Sequence, residues 1–88
     1  MRRNRIEILI NILEVAYAKG ERIKPTHLLY KSNLSHARMK KYVEELKAKG
    51  LLAERFEDGR SYFSITEKGI AFLAEYKKVR ELTEAFGL

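Results

Sequence analysis

An Asp-Gly pair at positions 58 and 59 separates two short strand-like segments in a chain whose other segments have helical patterns. Asp-Gly is one of the strongest short-range signals for a tight β-hairpin turn. Pairing centred on this turn predicts strands over residues 51–56 and 61–65. One face of this pairing carries Leu52, Phe56, Phe63 and Ile65, and the other carries Arg55 and Tyr62. Glu54 falls on the apolar face, which predicts a local irregularity in the strand register.

Four helices are predicted around the hairpin, because apolar residues recur there three or four positions apart. Their expected limits are residues 4–19, 25–31, 36–49 and 67–86. Residues with good capping chemistry begin and end them, namely Asn4, Gly20, Pro25, Ser35, Gly50 and Thr66. A tight turn at residues 32–34 joins the second and third helices. With 88 residues there is room for one core, so the predicted class is a single mainly α domain with a small β-hairpin (α+β).

The first predicted helix carries two apolar stripes. One consists of Ile6, Leu9, Ile10, Leu13, Ala16 and Tyr17, and the other of Ile8, Ile12 and Val15. At 100° per residue the stripes lie roughly 150–200° apart on the helix. A small monomeric core is not expected to cover both. The second stripe must be covered either by another helix of this chain or by another chain.

The positive charge is confined to the first two thirds of the sequence. The net charge is +6; residues 1–60 hold 14 basic and eight acidic side chains, whereas residues 61–88 hold four of each. From Arg22 to Val43 the chain has no acidic residue. A basic block of this kind attracts polyanions when it lies on one structural element.

The order helix, helix, tight turn, helix, hairpin, helix resembles the winged helix-turn-helix superfamily, and more narrowly its small archaeal DNA-binding members. The resemblance rests on the segments Leu29–Ser35, Lys49–Leu52 and Ile65–Gly69, and on Met39, Tyr42, Val43 and Leu46. It implies binding to double-stranded DNA, as a transcription regulator or a chromatin-type protein. It also implies dimerisation through the last helix, which forms an antiparallel coiled coil in some members.

In this arrangement the third helix, residues 36–49, is the expected recognition helix in the major groove, and residues 56–61 are the wing on a flanking groove or the backbone. The candidate DNA-binding residues are Lys31, Ser35, His36, Ala37, Arg38, Lys40, Lys41, Arg55 and Arg60. Ser35 and the helix N-terminus suit a phosphate, and Arg38 can pair bidentately with guanine. Glu44 and Glu45 would repel phosphate, so contacts are expected in the first two turns.

Residues 1–66 are expected to form the DNA-binding part of the domain, and residues 67–88 to serve packing and homodimerisation. The predicted dimer interface consists of Ile8, Ile12, Val15, Phe72, Tyr76, Val79 and Phe86. Two alternatives stay open beside a transcriptional regulator: sequence-independent coating of DNA, and a winged-helix module for protein interaction.

Other classes of function find no support in the sequence. The chain has no cysteine, and His27 and His36 make no metal signature, so no disulfide, metal or cofactor is expected. No nucleophile-base pair or cofactor loop indicates an enzyme. Without a membrane span, a signal peptide or an evident small-molecule site, the expectation is a cytoplasmic, nucleoid-associated protein.

Overall fold

The computed structural model describes residues 4–20 and 22–88 of the chain. In chain order the elements are α1 (Arg5–Lys19), α2 (Pro25–Ser32), α3 (His36–Ala48), β1 (Leu52–Glu57), β2 (Arg60–Ile65) and α4 (Glu67–Ala85). This order confirms the mainly α class with one hairpin between the third and fourth helices. Each predicted limit lies within one residue of the observed one.

Side-chain caps explain why three of the helices begin where they do. Asn4 accepts a hydrogen bond from the Glu7 amide at 2.8 Å. Ser35 accepts from the Arg38 amide at 3.3 Å, and the Thr66 hydroxyl accepts from the Gly69 amide at 3.0 Å. These bonds satisfy amides that have no partner within the helix.

The hairpin is regular along its whole length. Its register runs from Leu52 opposite Ile65 to Glu57 opposite Arg60. Asp58 and Gly59 both have positive φ, as the favoured two-residue turn requires. The prediction of an irregular register at Glu54 is wrong. The Glu54 carboxylate stays on the apolar face because polar partners bind it there. Lys47 of α3 lies 2.5 Å from it, and the Ser61 hydroxyl donates to it.

A third segment joins the hairpin edge. Ile23, in the connection between α1 and α2, forms an antiparallel bridge with Phe63 of β2, with both N–O distances at 2.8 Å. Its side chain is completely buried. The bridge ties the start of α2 to the base of the wing and so fixes these two parts relative to each other.

The core is built around α1, which packs against α2, α3, α4 and β2. Ile8 and Ile12 of the second stripe lie in the same core cluster as Leu9, Leu13 and Ala16, and Val15 packs partly buried against it. Of the two alternatives for this stripe, cover by the chain itself therefore holds for Ile8 and Ile12, and neither presents a surface to a partner. They are covered within this chain because α1 is the central helix.

The ends of the first stripe and much of α4 remain exposed. Ile6 and Tyr17, expected in the core, lie largely in solvent. On α4 only Gly69 is fully buried, and Phe72 and Leu73 pack partly buried against the core. Val79, Leu82 and Phe86 are more than half exposed. Within the described ranges, no helix has both the length and the apolar character to cross a membrane.

Candidate nucleic-acid interface

The helix-turn-helix geometry is set by three consecutive residues. Asn33 ends α2 in the left-handed conformation, with φ 54° and ψ 45°, which Asn tolerates better than most residues. Ser35 then caps α3 from an extended backbone. The buried side of α3 consists of Met39, Tyr42, Val43 and Leu46. Its opposite side is therefore presented to solvent.

The structure places all the predicted contact residues of the helix-turn-helix on the surface. Exposed along the end of α2 and the first two turns of α3 are Lys31, Ser35, His36, Ala37, Arg38, Lys40 and Lys41. The first turn of α3 contains no acidic residue. The helix N-terminus thus adds its partial positive charge to that of the basic side chains.

Within residues 4–20 and 22–88, none of the predicted contact cations has a carboxylate partner; these are Lys31, Arg38, Lys40, Lys41, Arg55 and Arg60. Of the other cations in these ranges, Arg5, Arg22, Lys47, Lys78 and Arg80 each lie within ion-pair distance of a glutamate, whereas Lys19, Lys24, Lys49, Lys68 and Lys77 do not. The candidate surface thus carries six cations without a carboxylate partner in the described residues, and no acidic residue lies in the first turn of α3 to offset them.

The acids near α3 have their own cations. Glu44 lies 3.4 Å from Lys47, and Glu45 pairs with Arg5. Hydrogen bonding to Glu54 raises the pKa of Lys47, and hydrogen bonds from Lys47 and Ser61 lower the pKa of Glu54. These groups therefore stay ionised and paired near neutral pH. The repulsion expected from the acids of α3 is reduced accordingly.

Tyr42 lies close to two of the candidate cations. The Arg38 guanidinium carbon and the Lys41 Nζ each lie 6.0 Å from the centre of its ring. These distances are at the outer limit for attraction between a cation and an aromatic face. Both side chains thus lie near the nearly buried tyrosine, on the same flank of α3.

The wing contributes further exposed cations. Arg55 and Arg60 are both exposed, near the turn at its tip. Arg22 lies over the Tyr62 ring at 5.6 Å and pairs with Glu57, so the one carboxylate in this part of β1 is neutralised. In the sequence, Arg22 lies between the first two predicted helices and belongs to neither. Only its closeness to the hairpin, fixed by the neighbouring Ile23 bridge, assigns it to the wing.

A groove of about 310 Å³ separates the wing from the helix-turn-helix. Apolar side chains line its interior, among them Leu29, Met39, Val43 and Phe63. His36 and Lys40 of α3 and Ser61 of β2 also line it. The first two turns of α3 therefore lie beside the hairpin between Glu54 and Ser61.

A second groove, of about 520 Å³, lies between α1 and α4. Its lining includes Ile10, Tyr17, Ile70, Leu73, Ala74 and Tyr76. Arg80 lies over the Tyr76 ring at 5.4 Å and 3.9 Å from Glu14, across the two helices. Val79, Leu82 and Phe86 extend the apolar surface along α4.

The family model described as winged helix-turn-helix matches residues 2–84. Sso10a-2, a DNA-binding protein from Sulfolobus solfataricus, is similar in structure, with 26% identity, a TM-score of 0.74 and coverage of 97% of this chain and 90% of that one. SSV1 F-93 also shares 26% identity, with a TM-score of 0.70 and coverage of 90% and 91%.

The transcriptional regulator BldR from Sulfolobus solfataricus has the same fold, with 21% identity and a TM-score of 0.75. The match covers 91% of this chain and 59% of BldR. No curated protein matches the sequence.

Proposed function

Because this chain belongs to the winged helix-turn-helix family, we propose that it binds double-stranded DNA as a homodimeric transcriptional regulator. In this proposal α3 enters the major groove, and residues 56–61 of the wing meet the flanking groove or the backbone. The observation that carries the proposal is the cluster of exposed cations without carboxylate partners in the described residues. DNA phosphates supply the opposite charge in this proposal. The structurally similar Sso10a-2 is a DNA-binding protein.

The contact residues divide into two roles. Arg38, in the first turn of α3, is proposed to read a guanine edge, because its guanidinium can donate two parallel hydrogen bonds. Ser35, Lys31, Lys40 and Lys41 are proposed to contact phosphates together with the first amides of α3. Arg55 and Arg60 are proposed to hold the wing against the backbone.

Substitution at Arg38 and Lys41 separates these roles. Lys41→Ala is expected to weaken binding to all duplex sequences alike and to reduce the slope of log K against log salt by about one. Arg38→Ala is expected to cost about 1–3 kcal/mol on the preferred sequence and less on others. Fluorescence anisotropy titrations at several salt concentrations measure both effects.

Lys19→Ala is the matched control, since Lys19 is exposed in the last turn of α1, outside the helix-turn-helix and hairpin. It is expected to leave the affinity for DNA nearly unchanged. Binding that does not depend on salt, or an equal effect of Lys19→Ala and Lys41→Ala, would contradict the proposed surface.

Sequence-independent coating of DNA is the alternative that uses the same surface, because phosphate contacts carry no sequence information. Genomic fragments enriched by the protein distinguish the two. A regulator binds its enriched fragment at least about a thousandfold more tightly than random duplex, whereas a coating protein gives a ratio near one. In the second case Arg38→Ala would weaken all sequences to the same extent.

We propose that residues 1–66 form the DNA-binding part and residues 67–88 the dimerisation part of one domain. The proposed interface keeps five residues of the interface predicted from the sequence, namely Val15, Phe72, Tyr76, Val79 and Phe86. It also includes Leu82 and the groove between α1 and α4. Ile8 and Ile12 leave the set because they are buried within the chain. Pairing of two α4 helices would cover side chains that the single chain leaves in water.

Leu82→Glu is expected to convert the dimer to a monomer at micromolar concentration, because it places a charge in an apolar contact. Glu81→Lys is the matched control: its position is about 100° around the helix and is exposed. Sedimentation equilibrium measures the mass of each variant. A wild-type chain that is monomeric at all concentrations would overturn the dimer.

A further inference from the structure

Phe56 is exposed in a place where the sequence predicted an apolar contact. Its side chain shares a face of the hairpin with the buried Leu52 and with Glu54, yet it is 73% exposed. The helix that covers Glu54 through Lys47 does not extend over this position. A large aromatic ring is therefore held in solvent near the tip of the wing.

The register fixes where this ring lies relative to α3. Phe56 is directly opposite Ser61, and Ser61 lines the same groove as His36 and Lys40 of α3. Phe56 is thus at the part of the hairpin beside the first two turns of α3. These are the turns that carry the proposed DNA contacts.

Two cations lie at the same end of the hairpin, on the face opposite to the ring. Arg55 precedes it in β1, and Arg60 lies next to Ser61 in β2; both are exposed. Neither has a carboxylate partner within residues 4–20 and 22–88. Proteins that wedge open a base step from the minor groove insert an exposed apolar side chain and hold the backbone with cations, and this narrow two-stranded element carries both.

We propose that the wing inserts the Phe56 ring between two base pairs from the minor groove that flanks the major groove bound by α3. This insertion bends the duplex at that step. This inference rests on the proposed function and adds to it an activity, DNA bending. Insertion moves the ring from water into contact with base faces, and Arg55 and Arg60 on the other face of the wing contact backbone phosphates. Pyrimidine–purine steps unstack most easily, so a TA or CA/TG step is the expected position.

The test uses a short duplex with the preferred sequence, taken from an enriched genomic fragment, at its centre. Energy transfer between a donor and an acceptor at its two ends is measured at saturating protein. The wild-type protein is expected to bring the ends closer. Phe56→Ala is expected to remove more than half of this change and to weaken affinity by about tenfold, whereas Phe56→Leu retains most of the bend. Tyr30→Ala is the matched control, because Tyr30 is an aromatic residue of similar exposure on α2, outside the wing.

Anisotropy on the same duplex is measured first, and circular dichroism checks that each variant is folded. Wild-type protein that binds the duplex without bending it overturns the inference and leaves the proposed function standing. A Phe56→Ala variant that bends the duplex as much as the wild type also overturns the inference and leaves the proposed function standing. If the wild-type protein fails to bind duplex DNA, the proposed function fails and the inference fails with it.

Discussion

Gly69→Ala is expected to destabilise the protein by about 3 kcal/mol, a drop in Tm on the order of 15 °C for a domain of this size. A Cβ built on Gly69 would collide with the carbonyl oxygen of Leu51 and come within 2.6 Å of Ile65 Cγ1. The Leu51 carbonyl also accepts a hydrogen bond from the Thr66 amide, so it cannot move without loss. Denaturation by guanidinium chloride measures the free energy of unfolding.

The sign of this effect depends on the collision outweighing the helix propensity. Alanine is favoured over glycine by about 1 kcal/mol within a helix, so an open site would be stabilised. Ala71→Gly is the control, because Ala71 is exposed on the same helix and should lose only that propensity. A Gly69→Ala variant as stable as the wild type would show that α4 can move away from the hairpin base.

Ile12→Ala is expected to cost about 3 kcal/mol of unfolding free energy, as large-to-small substitutions in a closed core do. Its side chain has no exposed surface within the single chain. Chemical denaturation measures the loss, and sedimentation equilibrium is expected to give the same dimer dissociation constant as the wild type. An Ile12→Ala variant that becomes monomeric but keeps the wild-type stability would show that Ile12 lies in the subunit interface.

The elements could be predicted from the sequence because local chemistry determines them. Asn4, Ser35 and Thr66 each cap a helix at the predicted position. The Asp58-Gly59 turn gives the predicted centre of pairing, since both residues must adopt positive φ. These signals act within a few residues and do not depend on the rest of the fold.

The covering of α1 could not be predicted, because it depends on where distant elements pack. Two apolar stripes are equally compatible with a central helix and with a helix between two chains. The Ile23 bridge was missed for a related reason: a single apolar residue between Arg22 and Lys24 has no periodicity. It becomes a strand contact only when β2 lies beside it.

For the candidate site, exposure of the α3 cations could be predicted from the spacing of the buried residues Met39, Tyr42, Val43 and Leu46. The ion pairs of the acidic residues could not be predicted, because Lys47 of α3 reaches Glu54 of β1. The exposure of Phe56 also could not be predicted from the alternation of apolar residues in the strand. Alternation in a strand determines the face of a side chain, but not whether a helix extends far enough to cover it.

The uneven distribution of charge between the first 60 residues and α4 affects how fast the protein meets its partner. Residues 1–60 carry the whole net charge of +6, whereas the sequence of α4 is electrically neutral, so the positive charge is distributed unevenly between the DNA-facing elements and α4. Such asymmetry gives the protein a dipole moment, and the field of a polyanion turns a dipole during diffusion. Many collisions would then begin with the recognition helix already facing the duplex.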